Sequence, residues 1–440
     1  MARASVSLLL PALSLAALAV FPHVSAVSAA AVPNDFAVSA AAVPYVSAGA
    51  REGADEKSWP QWRGPARTGA TAEAGWAVEG AELWKKEIGL GYSSVSIADG
   101  RLYTQGFVPA SAESEDGEDV IWCLDAATGK ELWSHRYPAK RWAKAHRGGT
   151  NVTPSIDGGR VYTCEREGEF FCLDAQSGKV LWKRDAKADA GVELPTWGFA
   201  AAPLVLEDAI YLNAGCVVAY EKKSGDVRWK SDDLGHAYAT PADFTWNGKK
   251  CLAVFNGGGL SIIDRSNGKR YLNHAWKTNY DVNAATPIVI GEKGDQVFIS
   301  SGYNHGCALL KLGAEAVEPV WESKVMRNHM SGCVLFEGHL YGFDEKKLKC
   351  IDLAGKELWA QDGLGKGALI IAGGKLVIIS EKGELAIAEA SSKGYSELSR
   401  TKVLDGSVCW TTPTLLNGLI YARNQGGTLV CRDHRKKASK

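Results

Sequence analysis

The chain has 440 residues, 46% of them hydrophobic, with 50 acidic and 50 basic side chains and so a formal net charge of zero. That balance gives no electrostatic reason to bind nucleic acid or an anionic membrane. The length would allow two or three ordinary domains unless a repeat joins them into one.

The N-terminus carries an address. Arg3 precedes an apolar stretch from Val6 to Phe21, closed by the small-x-small pattern Val24-Ser25-Ala26. At about 16 residues, and interrupted by Pro11, the stretch suits a signal-peptide core better than a membrane span of about 20. Residues 1–26 therefore read as a signal peptide. The mature chain is expected to be exported, periplasmic or extracellular, with no transmembrane segment. Residues 27–57 read as a disordered linker, because Val27-Ser28-Ala29-Ala30-Ala31-Val32-Pro33 returns almost unchanged at 38–44 and holds too little apolar surface to order itself. Residues 436–440 read as a solvated basic tail.

From residue 58 to 435 a cassette recurs. Its endings are Glu82-Leu83-Trp84, Gly129-Lys130-Glu131-Leu132-Trp133, Gly178-Lys179-Val180-Leu181-Trp182, Gly225-Asp226-Val227-Arg228-Trp229, Gly268-Lys269 up to Trp276, Pro319-Val320-Trp321 and Gly355-Lys356-Glu357-Leu358-Trp359. All-β units with a period of roughly 40–50 residues are propeller blades. Within each unit, short alternating apolar runs are separated by Asp-Gly, Glu-Gly and Ser-Gly turns, the spelling of four antiparallel strands. First strands are predicted at Val95, Pro154, Pro203, Pro241, Pro287, Cys333, Leu369 and Pro413, which gives eight blades, with seven kept open because the seventh is weak. There Gly383-Glu384-Leu385-Ala386-Ile387 stands for the third strand, and Leu398 for the tryptophan. The last unit lacks a fourth strand, whereas Glu82-Leu83-Trp84 is a fourth strand without the other three. The N-terminal strand is thus expected to complete the C-terminal blade and remove the free sheet edges. Each tryptophan is expected to pack between blades, over a neighbour's Gly turn.

Ten cysteines in an exported chain raise the question of disulfides. Cys123, Cys172, Cys350 and Cys431, however, fill one repeat position and read as small core residues. No Cys-x-x-Cys pair, Gly-x-Ser-x-Gly elbow, phosphate loop or His-Glu-x-x-His motif is present. Gly257-Gly258-Gly259 falls where the repeat requires a hairpin.

At Leu124-Asp125-Ala126-Ala127-Thr128-Gly129-Lys130-Glu131-Leu132-Trp133 and Leu173-Asp174-Ala175-Gln176-Ser177-Gly178-Lys179-Val180-Leu181-Trp182 the chain resembles the PQQ-like, quinoprotein-type β-propeller repeat. Trp59-Pro60-Gln61-Trp62-Arg63-Gly64-Pro65 is similar to the opening of exported propellers of that kind. The resemblance implies one of two functions. One is a BamB-like propeller without cofactor, binding an envelope protein or an extracellular ligand as a monomer. The other is an oxidoreductase that holds PQQ and calcium and acts on an alcohol or sugar. The chain lacks the adjacent cysteines and long insertions of the larger enzymes, so non-catalytic binding with no cofactor is the expectation.

The residues preceding the first strands should gather at one mouth of the central channel. They include Tyr92, Asn151, Trp197, His236 with Tyr238, Asp281 with Asn283, Asn328 with His329, Lys366, and Cys409 with Trp410, with Arg147 in a longer loop. Aromatics, amides and histidines converging there point to a polar, aromatic-walled pocket. Under the enzyme alternative, Asp281 would be the base, Asp281 and Asn283 the calcium ligands, and Trp197 or Trp410 the stacking surface. Otherwise no metal is expected.

Overall fold

A computed structural model describes residues 57–142, 148–236 and 238–436. The signal-peptide and linker assignments, Arg147 and most of the basic tail lie outside these residues.

Eight antiparallel sheets form eight blades. Blade one shows the plan, with strands Ser96–Ala98, Arg101–Pro109, Asp116–Asp125 and Glu131–Lys140. Seven of the eight first strands start at the residue after the position read from the sequence; that of blade seven, Ala368–Ala372, starts one residue before Leu369. First strands converge. The Ser96 hydroxyl donates to Pro154 O (2.6 Å), Ser155 to Pro203 O (2.6 Å) and Thr414 to Val95 O (3.4 Å), each bond running between adjacent blades. Fourth strands are the most exposed, so they form the outer rim.

The ring closes as its ends require. Strand Ala81–Glu87 pairs antiparallel with Thr428–Asp433, supplying the fourth strand that the C-terminal blade lacks. The segment before it was legible as a motif but not as a structure. Trp59 exchanges backbone hydrogen bonds with Ile97 of blade one (2.8 and 2.7 Å), and Pro60 O accepts from Ile156 of blade two (2.7 Å). Arg67 donates to Val205 O of blade three (2.8 Å), and Arg63 to Cys333 O of blade six (2.7 Å). Ala70–Thr71 then adds a parallel strand beside Ile371 and Ala372 of blade seven. The peptide thus ties five blades together across one end of the channel.

Every fourth strand carries a bulge at the same place, which fixes the register of the rest of that strand. The residue after the bulge faces the third strand: Trp133 opposite Cys123, Trp182 opposite Cys172, Trp359 opposite Cys350. Its indole reaches the next blade. Nε1 of Trp84 donates to Ala126 O (3.1 Å), that of Trp133 to Ala175 O (3.0 Å) and that of Trp321 to Leu353 O (2.8 Å). A Cβ on Gly129 or Gly178 would come within 2.6 Å of the Trp84 or Trp133 ring, and both glycines have positive φ, so only glycine fits the turn beneath the indole.

Two expectations need correction. In blade four the tryptophan register belongs to Leu272, opposite Ile262; Trp276 lies beyond the strand and donates to Ser301 Oγ (3.1 Å). In blade seven it belongs to Ser399, opposite Ile387, whereas Leu398 is the bulge residue and points to solvent. All ten cysteines are buried free thiols.

Candidate functional site

Six of the residues read from the sequence line one cavity of about 190 Å³: Tyr92, Asn151, Trp197, Tyr238, His329 and Trp410. Each lies in the loop that leads from a fourth strand to the next first strand. The walls are aromatic: Tyr92 and Trp410 stack with centroids 5.7 Å apart and planes 13° from parallel, and Trp197 meets Tyr238 edge-on at 5.7 Å.

Trp62 was not anticipated as a site residue. It borders this cavity and also a second, more polar cleft that holds Arg63, Arg67, Asp243 and Arg265. The crossing peptide therefore places an indole between the two spaces. Its signal was the Trp59–Pro65 motif, which has no place in the repeat. Tyr303, also unanticipated, sits in a hairpin between second and third strands and meets His329 edge-on at 4.3 Å. Tyr280 extends the rim, 71% exposed, packing edge-on against Tyr303 (5.4 Å) and Trp197 (6.5 Å). Tyr280 and Tyr303 both hold positive φ (63° and 53°), a costly conformation for a bulky residue that recurs where side chains are aimed for function.

The other predicted residues lie elsewhere. Lys366 stands behind His329, with Nζ 2.7 Å from Nδ1 and 3.4 Å from Glu345. His236 and Asp281 border a separate cleft, where Asp281 pairs with Lys277 at 2.8 Å. Asn283 is fully buried: its amide donates to Asn256 O (2.7 Å) and Trp276 O (3.2 Å), and its oxygen accepts from Ser301 (2.6 Å). Asn328 is similarly engaged with Ser300, Phe343 and Cys333, and Cys409 is buried.

This arrangement does not fit calcium beside a quinone. Ca²⁺ takes six to eight oxygens, with carboxylates prominent. No carboxylate borders the aromatic cavity among the described residues, and the proposed amide ligand already spends its oxygen on Ser301. Nor do the described residues contain a group of three or more His, Cys, Asp or Glu able to hold a metal ion.

Beside the cavity lies a buried acidic pair. Asp119 is pushed up to about 8, first by burial and then by the neighbouring Glu165. Burial pushes Glu165 up to about 7 against the pull of the Glu167 and Glu169 backbone N–H groups. Arg166, which follows Glu165 and borders the cavity, opposes the rise at Asp119.

The eight-fold repeat, the closing strand and the inter-blade indoles define a PQQ-like β-propeller. The chain belongs to the family described as outer membrane protein assembly factor BamB, which residues 117–354 match. BamB from Moraxella catarrhalis superposes with a TM-score of 0.58 at 14% identity, over 81% of this chain and 100% of that one. Quinohemoprotein alcohol dehydrogenase from Comamonas testosteroni gives 0.61 at 12% identity, over 87% and 81%. The computationally designed Ika8 protein gives 0.56 at 10% identity, over 81% and 99%. At these identities the likeness is one of fold, and one fold carries unrelated functions. No curated protein matches the sequence. No helix among the described residues is long and apolar enough to cross a membrane.

Proposed function

We propose that the chain is an exported, non-catalytic binding propeller, which receives a group from an envelope protein or a small ligand in the aromatic cavity at its channel mouth. One observation carries this reading: six side chains from separate inter-blade loops border a single cavity. The Val6–Phe21 apolar stretch and the family's description as an outer membrane assembly factor favour export. The placement of Asp281 and Asn283 weighs against the PQQ-and-calcium oxidoreductase. Titration of the purified chain with PQQ, with and without Ca²⁺, followed by tryptophan fluorescence and heat, tests the choice. The reading expects no saturable binding; one-to-one binding weakened by Trp410→Ala would replace it with the enzyme. Crosslinking from position 92 in envelope extract should capture a specific partner, or a small ligand should compete there. A mouth that engages neither would end the proposal.

A further inference from the structure

The exposed large apolar side chains fall into two kinds. Leu83, Leu132, Leu181, Val227, Val320 and Leu398 lie on fourth strands, where the repeat itself places them on the outer rim. Tyr280 is the exception among the described residues: an aromatic ring, 71% exposed, in the loop before the first strand of blade five. Trp197 and Tyr303 both meet it edge-on, so the ring is held in place while most of its surface stays in water. A ring fixed yet left wet, at a positive φ that no burial repays, asks for an explanation.

Tyr280 stands between two hollows. Trp197 and Tyr303 border the aromatic cavity, whereas Lys277 and Asp281, which flank Tyr280 in the chain, border a polar cleft of about 580 Å³. That volume lies in the range of small-ligand clefts, about 300–1,000 Å³. Gly257 and Gly258 form part of the wall, but their N–H groups are spent on His236 O (2.9 Å) and Leu234 O (3.1 Å), so they cradle no anion. The wall holds both signs of charge: Glu193, Asp233 and Asp281 against Arg270 and Lys277, with Asp281 and Lys277 bonded at 2.8 Å. Neither a phosphate nor a cation is therefore favoured. Among the described residues, the side chains of Glu193, His236 and Asn273 make no hydrogen bond or ion pair within the protein. Together they offer both acceptors and donors.

We propose that the Tyr280 ridge and this cleft bind a neutral oligosaccharide. The site lies outside the aromatic cavity, so it goes beyond the reading of that cavity and does not depend on it. A sugar ring is uncharged, has an apolar C–H face that packs on an aromatic ring, and carries hydroxyls that each donate and accept. Tyr280 carries one sugar unit, and the hydroxyls of the next meet Glu193, His236 and Asn273 in the cleft. Other partners that use exposed aromatic rings fit less well. A protein hot spot is surrounded by groups that exclude water, whereas Tyr280 has the Lys277–Asp281 ion pair at its side. A single nucleic-acid strand stacks its bases on such rings but needs a positive groove, and here it would meet three carboxylates.

The full purified chain should be titrated by calorimetry and tryptophan fluorescence with cellohexaose, mannohexaose, xylohexaose and chitohexaose, with their monosaccharides, and with an oligoproline peptide. At least one hexasaccharide should bind at sub-millimolar concentration, about tenfold or more tightly than its monosaccharide, because ridge and cleft each hold a unit. Tyr280→Ala should weaken that binding about tenfold, and Tyr280→Phe should keep it within about twofold, since the ring face makes the contact. Both variants should unfold at the same denaturant midpoint as the parent, because the ring is exposed. Asn273→Ala should weaken binding about fivefold through a lost hydrogen bond. No response to any hexasaccharide at millimolar concentration would overturn the proposal. Binding that survives Tyr280→Ala would place the sugar elsewhere and overturn it too. Oligoproline bound more tightly than every hexasaccharide, and lost in Tyr280→Ala, would make the ridge a peptide site instead. None of these outcomes judges the aromatic cavity, which the position-92 crosslink tests separately.

Discussion

The two ends of the channel are built differently. At one end the Trp59–Thr71 peptide is stitched to first strands by backbone bonds and by two arginines that reach carbonyls, and Arg63 is almost fully buried among them. At the other, inter-blade loops present aromatic rings and polar side chains around a cavity. Main-chain groups that satisfy one another close a fold. At one end two arginines are spent on carbonyls that join blades; at the other, rings from separate inter-blade loops line a cavity. On the proposed reading the stitched end serves the fold and the aromatic end recognition.

That contrast can be broken by mutation. Trp59 is 2% exposed and packs its ring on Gly64, so Trp59→Ala should lose about 4 kcal/mol of unfolding free energy by chemical denaturation. Trp410→Ala at the open mouth should lose well under half of that, because its ring is only partly covered. Equal losses would erase the distinction. Next in size, Asn283→Ala should cost about 2–3 kcal/mol, since it strands the Asn256 and Trp276 carbonyls and the Ser301 hydroxyl. Asp281→Ala, which removes an exposed ion pair with Lys277, should stay within about 0.5 kcal/mol. A matched pair of small effects would return both residues to a shared site.

A pH series sharpens the comparison further. Asp119 and Glu165 titrate higher in the fold than in the unfolded chain, where carboxyls have pKa values of about 4. Between those values the native state binds more protons, so the stability from this source is fully present below about pH 4 and is lost as pH rises through about 7 and 8. Glu167 and Glu169 add to the repulsion and Arg166 opposes it. The denaturation midpoint should decline from about pH 5 to about pH 8, and Asp119→Asn should flatten that decline. A midpoint that rises over this range would contradict the burial of the pair.

The parts of the molecule that could be read beforehand are the parts that repeat. The Gly turn and the Trp position recur, and Pro precedes five of the eight first strands, so first strands, ring closure and eight blades with seven kept open could be read from the repeat. Leu272 and Ser399 escaped because one bulge residue decides which side chain faces inward, and a bulge leaves no mark in composition. The loops before the first strands were readable as a class, and six of their residues meet in one cavity. Asn283 and Asp281 share that class but diverge, because the left-handed turn at Tyr280–Asp281 sends one outward and the next into the core. Trp62 and Tyr303 lay outside the class altogether: one comes from a peptide that precedes the repeat, the other from a hairpin whose strained turn brings it to the rim.

The most direct measurement is the unfolding free energy of Tyr238→Phe without added ligand. Removing a buried hydroxyl that has no partner should raise stability by about 1 kcal/mol, because the wall of the mouth would then be held by its rings rather than by that group. A loss of similar size would mean that the hydroxyl is satisfied within the protein, and that the aromatic end, like the stitched one, is only structure.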